Sequence, residues 1–203
     1  MNELLIATRN KGKVREIAGL LSPMGIRVTS LLDHAGMPDI IEDGATFRAN
    51  AAKKAVVIAR HTGLVVMGED SGIEVDALGG RPGVYSARYA GEPADDEMNN
   101  DLLLRELTGV PDDKRTARYR CAMALADKDM LIDVVEGTCE GRITPERRGS
   151  HGFGYDPLFL IPSCQKTFGE LDLAVKQGMS HRAQAMGKFL KLLENYLVRT
   201  ETT

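Results

Sequence analysis

Apolar and polar positions alternate between two periods along the chain, and the switches mark the elements. Leu4 to Ala7 is a short apolar run that predicts a buried strand. A polar, cationic loop follows, Thr8-Arg9-Asn10-Lys11-Gly12-Lys13. Val14, Ile17, Ala18 and Leu21 then recur at helical spacing, with Pro23 and Gly25 as stop signals. Ile26 to Leu32 predicts a second strand. A second helix is predicted over Thr46 to His61, with Phe47, Ala51, Ala55, Ile58 and Ala59 as its apolar stripe and Gly63 as its cap. Leu64 to Met67 predicts a buried strand ending at Glu69 and Asp70, with Ser71 and Gly72 as a turn.

The second half reads differently. A helix is predicted near Asp95 to Thr108, stopped by Gly109 and Pro111. From Thr116 to Ala126, Tyr119, Cys121, Met123 and Leu125 alternate with other residues, as in a half-buried strand. Asp127-Lys128-Asp129 predicts a hairpin turn, with a return strand from Met130 to Ile143. Gly149 to Pro157 is a glycine-rich loop, Leu158 to Ile161 a short strand. A last helix is predicted from about Ser180 to Leu197, with Ala183, Leu190, Leu193 and Leu197 on one face. Helices interleaved with buried runs and one hairpin favour a mixed α/β sheet.

Composition narrows the function. The chain of 203 residues can bury a substantial core without disulfide staples. Hydrophobic content of 43% and charged content of 27% are ordinary for a soluble protein. A net charge of −3 argues against a general nucleic-acid coat. The three cysteines, Cys121, Cys139 and Cys164, form no CxxC pair and suit reduced thiols in the cytoplasm. The first residues lack the pattern of a signal peptide, and no run reaches transmembrane length.

Four segments carry candidate chemistry. Thr8 to Lys13, between a strand and a helix start, suits a phosphate, although its spacing is not that of a Walker A loop; an ordinary polar loop is the alternative. Glu42, Glu69 and Asp70 offer hard carboxylate oxygens that suit Mg²⁺, though Glu42 also reads as a solvated acid. Adjacent strand residues face opposite ways, so Glu69 and Asp70 are not expected to share one ion. Phe153-Gly154-Tyr155-Asp156-Pro157 offers rings to stack on a base and a carboxylate to accept from it, or a tight turn with Phe153 plugging the core. Lys176 and Ser180-His181-Arg182, expected at the start of the last helix, could hold a phosphate or a base carbonyl; His181 alone reads as well as a capping residue.

Read together, Thr8-x-Asn10-x-x-Lys13, Asp70-Ser71-Gly72, Gly79-Gly80-x-Pro82-Gly83-x-x-Ser86-Ala87-Arg88, Gly152 to Pro157 and Lys176-x-x-x-Ser180-His181-Arg182 resemble the Ham1-like inosine triphosphate pyrophosphatases, also called dITP/XTP pyrophosphatases. The resemblance spans about Leu4 to Leu193. It implies a single domain over residues 1–203, with two lobes on a long mixed β-sheet, flanking helices and a central nucleotide-binding cleft. It implies a cytoplasmic homodimer that requires Mg²⁺, with no nucleic-acid or membrane partner. It implies hydrolysis of ITP, dITP or XTP to the monophosphate and pyrophosphate.

Carried over by motif, Asp70 and Lys54 are the implied catalytic residues, and Glu42 and Asp70 the implied metal ligands. Thr8, Arg9, Asn10, Lys11, Gly12, Lys13, Ser71, Phe153, Gly154, Tyr155, Asp156, Lys176, His181 and Arg182 are the implied substrate contacts. Three positions depart from the family's common pattern: Glu69 stands for an aspartate, Ala49 for a glutamate and Met179 for an isoleucine. Maf-type pyrophosphatases, acting on pyrimidine or modified nucleotides, are the alternative enzyme class and should lack the Ser-His-Arg element. A non-catalytic nucleotide-binding protein is the other alternative.

Overall fold

The computed structural model describes residues 3–22 and 25–201, so the predicted stop at Pro23 lies outside the described residues. Among the described residues, seven strands are hydrogen-bonded in the order β2-β1-β3-β4-β5-β6-β7. They are β1 (Glu3–Ile6), β2 (Arg27–Ser30), β3 (Val65–Val75), β4 (Thr116–Asp127), β5 (Met130–Ile143), β6 (Phe159–Ile161) and β7 (Lys166–Thr167). The helices are α1 (Lys11–Leu21), α2 (Phe47–Thr62), α3 (Asp96–Glu106), α4 (Leu173–Met179) and α5 (His181–Glu201). The sheet is mixed: β1 pairs parallel with β2 and β3, while β6 pairs antiparallel with β5 and β7.

The chain divides into two compact units. One comprises Met1–Asp70, Cys121–Gly137 and Arg182–Thr203, the other Ser71–Arg120 and Thr138–His181. In the first, Leu4 and Ile6 of β1 join Ile17 and Leu21 of α1, Met67 of β3, and Ala185, Met186, Phe189 and Leu193 of α5 in one apolar cluster. The α5 stripe holds the expected Leu193, with Leu190 and Leu197 packed against the cluster, and adds Ala185, Met186 and Phe189, while Ala183 is not among its members. In the second, Ile73, Val75, Leu103, Tyr119, Phe159 and Phe168 belong to a separate cluster.

Local signals explain most boundaries. The Asn10 side chain accepts from the Lys13 N–H and caps α1. Thr46 caps α2 in the same way, and Gly63, at φ +70°, ends it with its N–H on the Ala59 carbonyl. The Lys128-Asp129 turn joins β4 to β5 as expected, Lys128 taking φ +53°.

β3 corrects the sequence reading. It does not stop at the acidic pair; Glu69 to Gly72 continue it as strand to Val75. Ile73 and Val75 are buried in the second cluster, and that burial carries the strand through four residues of weak strand propensity. Gly68 permits the approach of α2. A Cβ there would lie 2.0 Å from the Ala51 carbonyl oxygen and 2.7 Å from the Ala55 nitrogen. Gly68→Ala is expected to cost about 1–3 kcal/mol through overpacking against backbone. An unchanged urea midpoint in that variant would contradict this contact.

Candidate active site

The alternation of β3 sorts the acidic pair. Gly68 faces α2, and so does Asp70; Met67 lies in the cluster with α1 and α5, and Glu69 points to the same helices. Each carboxylate therefore makes its direct ion pairs with different cations.

On the α2 side, Asp70 Oδ1 pairs with Lys54 Nζ at 2.9 Å, and Oδ2 accepts from Asn50 Nδ2 at 3.1 Å. Lys54 Nζ also lies 3.0 Å from Glu42 Oε1. Asn50 accepts from the Gly44 N–H at 2.8 Å, so one side chain ties the Glu42 loop to Asp70. Asn50, Lys54 and Asp70 are all buried. Burial raises the Asp70 pKa, and neighbouring Glu42 raises it further, against the pull of Lys54 and Lys13. Burial pushes Lys54 down, but Asp70 and Glu42 outweigh it and hold the ammonium charged.

On the other side, Glu69 is fully buried. Its Oε2 pairs with Lys13 Nζ at 2.6 Å and its Oε1 with Arg182 Nη2 at 3.0 Å. Cys121 Sγ donates to Oε1 at 3.4 Å. Arg182 is itself buried and paired with Glu16 through its other terminal nitrogen. Burial favours the neutral acid, yet Lys13 and Arg182 overcome it and hold the Glu69 carboxyl well below the usual range.

This geometry fits a small divalent cation. Two hard carboxylates, Glu42 and Asp70, converge on a single cationic atom. Mg²⁺ uses one or two protein carboxylates and completes its shell with water and phosphate oxygens. Among the described residues no group of three or more His, Cys, Asp or Glu forms a self-sufficient metal cage. Glu69 does not join Asp70, since both its oxygens are committed to cations.

Beside it, the Thr8–Lys13 loop is ordered by its own side chains. Thr8 Oγ1 accepts from the Asn10 N–H at 3.2 Å. Arg9 turns to the Met37 carbonyl and Asp39. Lys11 is exposed, Gly12 half-buried, and Lys13 is held by Glu69.

The second unit carries the glycine-rich loop. Asp156 is buried; its Oδ2 accepts from the Phe153 N–H at 2.9 Å and pairs with Lys176 Nζ at 2.6 Å. A Cβ on Gly152 would lie 1.9 Å from that same oxygen, and Gly152 has φ +81°. Lys176 Nζ stands 5.0 Å from the centre of the Phe153 ring. Phe153 itself is half-buried, and the ring that plugs the core is Tyr155, whose hydroxyl donates to the Ser86 carbonyl at 2.8 Å. His181 is buried and stacks on Tyr119, ring centres 4.6 Å apart and planes 9° apart.

Lys176 does not stand on the last helix, as expected, but on the short α4, which Ser180 closes before α5 begins at His181. Ser71 lies within β3, half-buried, rather than on a turn. The sequence reading missed Asn50 as the residue that joins Glu42 to Asp70, and Glu16 and Cys121 around Arg182 and Glu69. For Asn50 a signal existed: it and Lys54 are polar, four apart, on the face that buries Ala51 and Ala55.

A family model described as Ham1 family matches residues 4–192. The chain belongs to the Ham1 family. Among its relatives, a dITP/XTP pyrophosphatase of Desulforamulus reducens is 50% identical over 199 residues, covering 98% of this chain and 99% of that one. A dITP/XTP pyrophosphatase of Shouchella clausii is 51% identical over 194 residues, covering 96% and 98%. The Ham1 protein of Staphylococcus aureus superposes with a TM-score of 0.84 at 36% identity, covering 96% of this chain and 99% of that one. A HAM1 protein from Coxiella burnetii gives 0.86 at 38% identity, covering 96% and 100%. In this Ham1 chain, no helix among the described residues is long and apolar enough to cross a membrane.

Proposed function

We propose that the chain hydrolyses non-canonical purine nucleoside triphosphates (ITP, dITP and XTP) to the monophosphate and pyrophosphate, cleansing the nucleotide pool. Residues 1–203 act as one catalytic domain in this reading, in a cytoplasmic homodimer without nucleic-acid or membrane partners. The observation that carries it is the convergence of buried Asp70 and Lys54 with half-buried Glu42, with the Lys13 loop beside it. Family membership and the printed names of the relatives support the same substrate class.

Thr8 to Lys13 grip the triphosphate through backbone N–H groups at the α1 start and the Lys13 ammonium. Glu42 and Asp70 would hold Mg²⁺, which supplies charge neutralisation on the phosphates. Water attacks the α-phosphorus in line, and Asp70 takes its proton. The bond from the α-phosphorus to the bridging oxygen breaks, and pyrophosphate leaves with the electron pair. Lys13 and Lys54 offset the charge that grows on the oxygens. Ser71 supports the nucleotide directly, and Arg182, enclosed by Glu16 and Glu69, supports it through Glu69, which anchors Lys13. Phe153 stacks on the base, and Gly154, Tyr155, Asp156, Lys176 and His181 shape its surroundings.

Hypoxanthine and xanthine carry a carbonyl at the 6-position where adenine carries an amino group. A donor aimed at that carbonyl is left unpaired by adenine, at a cost of about 1–3 kcal/mol. Pyrophosphate release is measured on ITP, XTP, dITP, GTP, ATP and a modified pyrimidine triphosphate, with Mg²⁺ and with EDTA. The expected result is metal-dependent release confined to the non-canonical 6-oxo purines. Release mainly from the pyrimidine would move the chain to the Maf-type class. Metal-independent binding with no release from any nucleotide would make it a binding protein.

A further inference from the structure

The motif Gly79 to Arg88 and helix α3 have no part in the chemistry above, yet α3 is bonded to both loops of its unit. Asn99 Nδ2 donates to the Ala87 carbonyl at 3.0 Å, and Asn99 Oδ1 accepts from the Ala90 N–H at 2.7 Å. One turn away, Asp96 Oδ2 accepts from the Gly154 N–H at 2.7 Å, and Asn100 Nδ2 donates to the Gly154 carbonyl at 3.0 Å. Asp96 and Asn100 are four apart and so share one face of the helix.

These bonds determine the backbone of Phe153. Its own N–H is held by Asp156, and the N–H of the next peptide is held by Asp96. With the peptide planes on both sides fixed, φ and ψ of Phe153 are fixed, and with them the direction of its Cβ and ring. The Asn100 bond locks the following peptide in the same way. Gly154 stands at φ +62°, a conformation in which a free glycine would have many neighbours to exchange with. Asn100 is buried, and its Oδ1 has no hydrogen-bond partner among the described residues. An orphaned acceptor is a cost to the fold. It is retained here beside a donor bond that fixes the loop.

The geometry points to α3 as a clamp, with Asp96 and Asn100 as positioning residues that hold the Phe153 ring in register for the base. This inference rests on the nucleotide reading of the Gly152–Asp156 loop and assigns α3 to base recognition rather than to phosphate chemistry.

Two measurements test it. Steady-state kinetics on dITP compare the parent with Asn100→Leu, Asp96→Ala and the conservative Asp96→Asn. Asn100→Leu and Asp96→Ala are expected to raise KM by roughly threefold to tenfold, the effect of one hydrogen bond, with kcat and inhibition by inorganic pyrophosphate unchanged. Asp96→Asn keeps an acceptor for the Gly154 N–H and should restore the parent KM. The second measurement uses the absence of tryptophan from the chain. Phe153→Trp introduces a single reporter, and Asn100→Leu in that background should raise its quenching by acrylamide. Asn100→Leu removes the orphaned acceptor together with the donor; should it fail to fold, the Asp96 pair decides. Unchanged quenching overturns the clamp whether or not any nucleotide is turned over. Raised quenching with an unmoved KM overturns the positioning role. A parent enzyme silent toward every nucleotide overturns the function instead and leaves the quenching result to judge the clamp.

Discussion

Asp70→Asn is expected to lower kcat by about 10²–10⁴, the range supplied by a positioned general base, while the fold stays intact. The substitution is isosteric, and the Asn50 contact on Oδ2 and the Lys54 contact on Oδ1 are those the new amide must replace. Asparagine cannot take a proton from water and is a weaker ligand for a hard cation. The stability effect has a separate sign. Because burial raises the Asp70 pKa, the fold favours the protonated, neutral carboxyl, and the corresponding stability is present at low pH and lost as pH rises through the folded value. A neutral isostere therefore removes a charge the fold holds at a cost. Lys54 keeps Glu42 as partner at 3.0 Å. Pyrophosphate release and thermal unfolding, measured on one preparation, separate the two effects. Near-normal turnover would remove Asp70 from the mechanism, and loss of cooperative unfolding would mean that the lost rate reports misfolding.

Much of this was legible in the sequence where local chemistry decides the structure. Asn10, Thr46 and Gly63 announce helix ends because caps satisfy backbone groups within a few residues. The long β4–β5 hairpin follows from its alternation and its two-residue turn. What was hidden depends on contacts distant in sequence. β3 runs on through Glu69-Asp70-Ser71-Gly72 because Lys13, Lys54 and Arg182 neutralise its acids and Ile73 and Val75 anchor its far end. α4 is seven residues long with Gly178 inside, too short for a period to register. Lys176 is buried there against Asp156 and the Phe153 and Phe168 rings, all distant from it in sequence or on other elements. Motif order pointed to Arg182 as a substrate contact, but its guanidinium is enclosed by Glu16 and Glu69, a pairing that no spacing in the sequence reveals.

That enclosure makes Glu69 a position where even a conservative change should cost much stability. Glu69→Gln is expected to destabilise the fold by about 3–5 kcal/mol, the usual penalty for removing one member of a buried ion pair. The glutamine carbonyl can still accept from one neighbour, but Lys13 and Arg182 both lose the charge that compensates their own burial. Glu16 remains on Arg182, while the Lys13 loop loses its anchor. The pH dependence identifies the cause. Lys13 and Arg182 overcome burial and depress the Glu69 pKa, so its stabilisation is fully present above the unfolded value of ~4.3 and is lost as pH falls toward the folded one. Urea midpoints for parent and variant should differ by a constant amount near neutrality. Below pH ~4.3 the difference should shrink by about 1.4 kcal/mol per pH unit. A gap that persists unchanged at pH ~3 would mean that the variant suffers from packing at residue 69 rather than from the lost charge, and the ion network would then be a passenger in the fold.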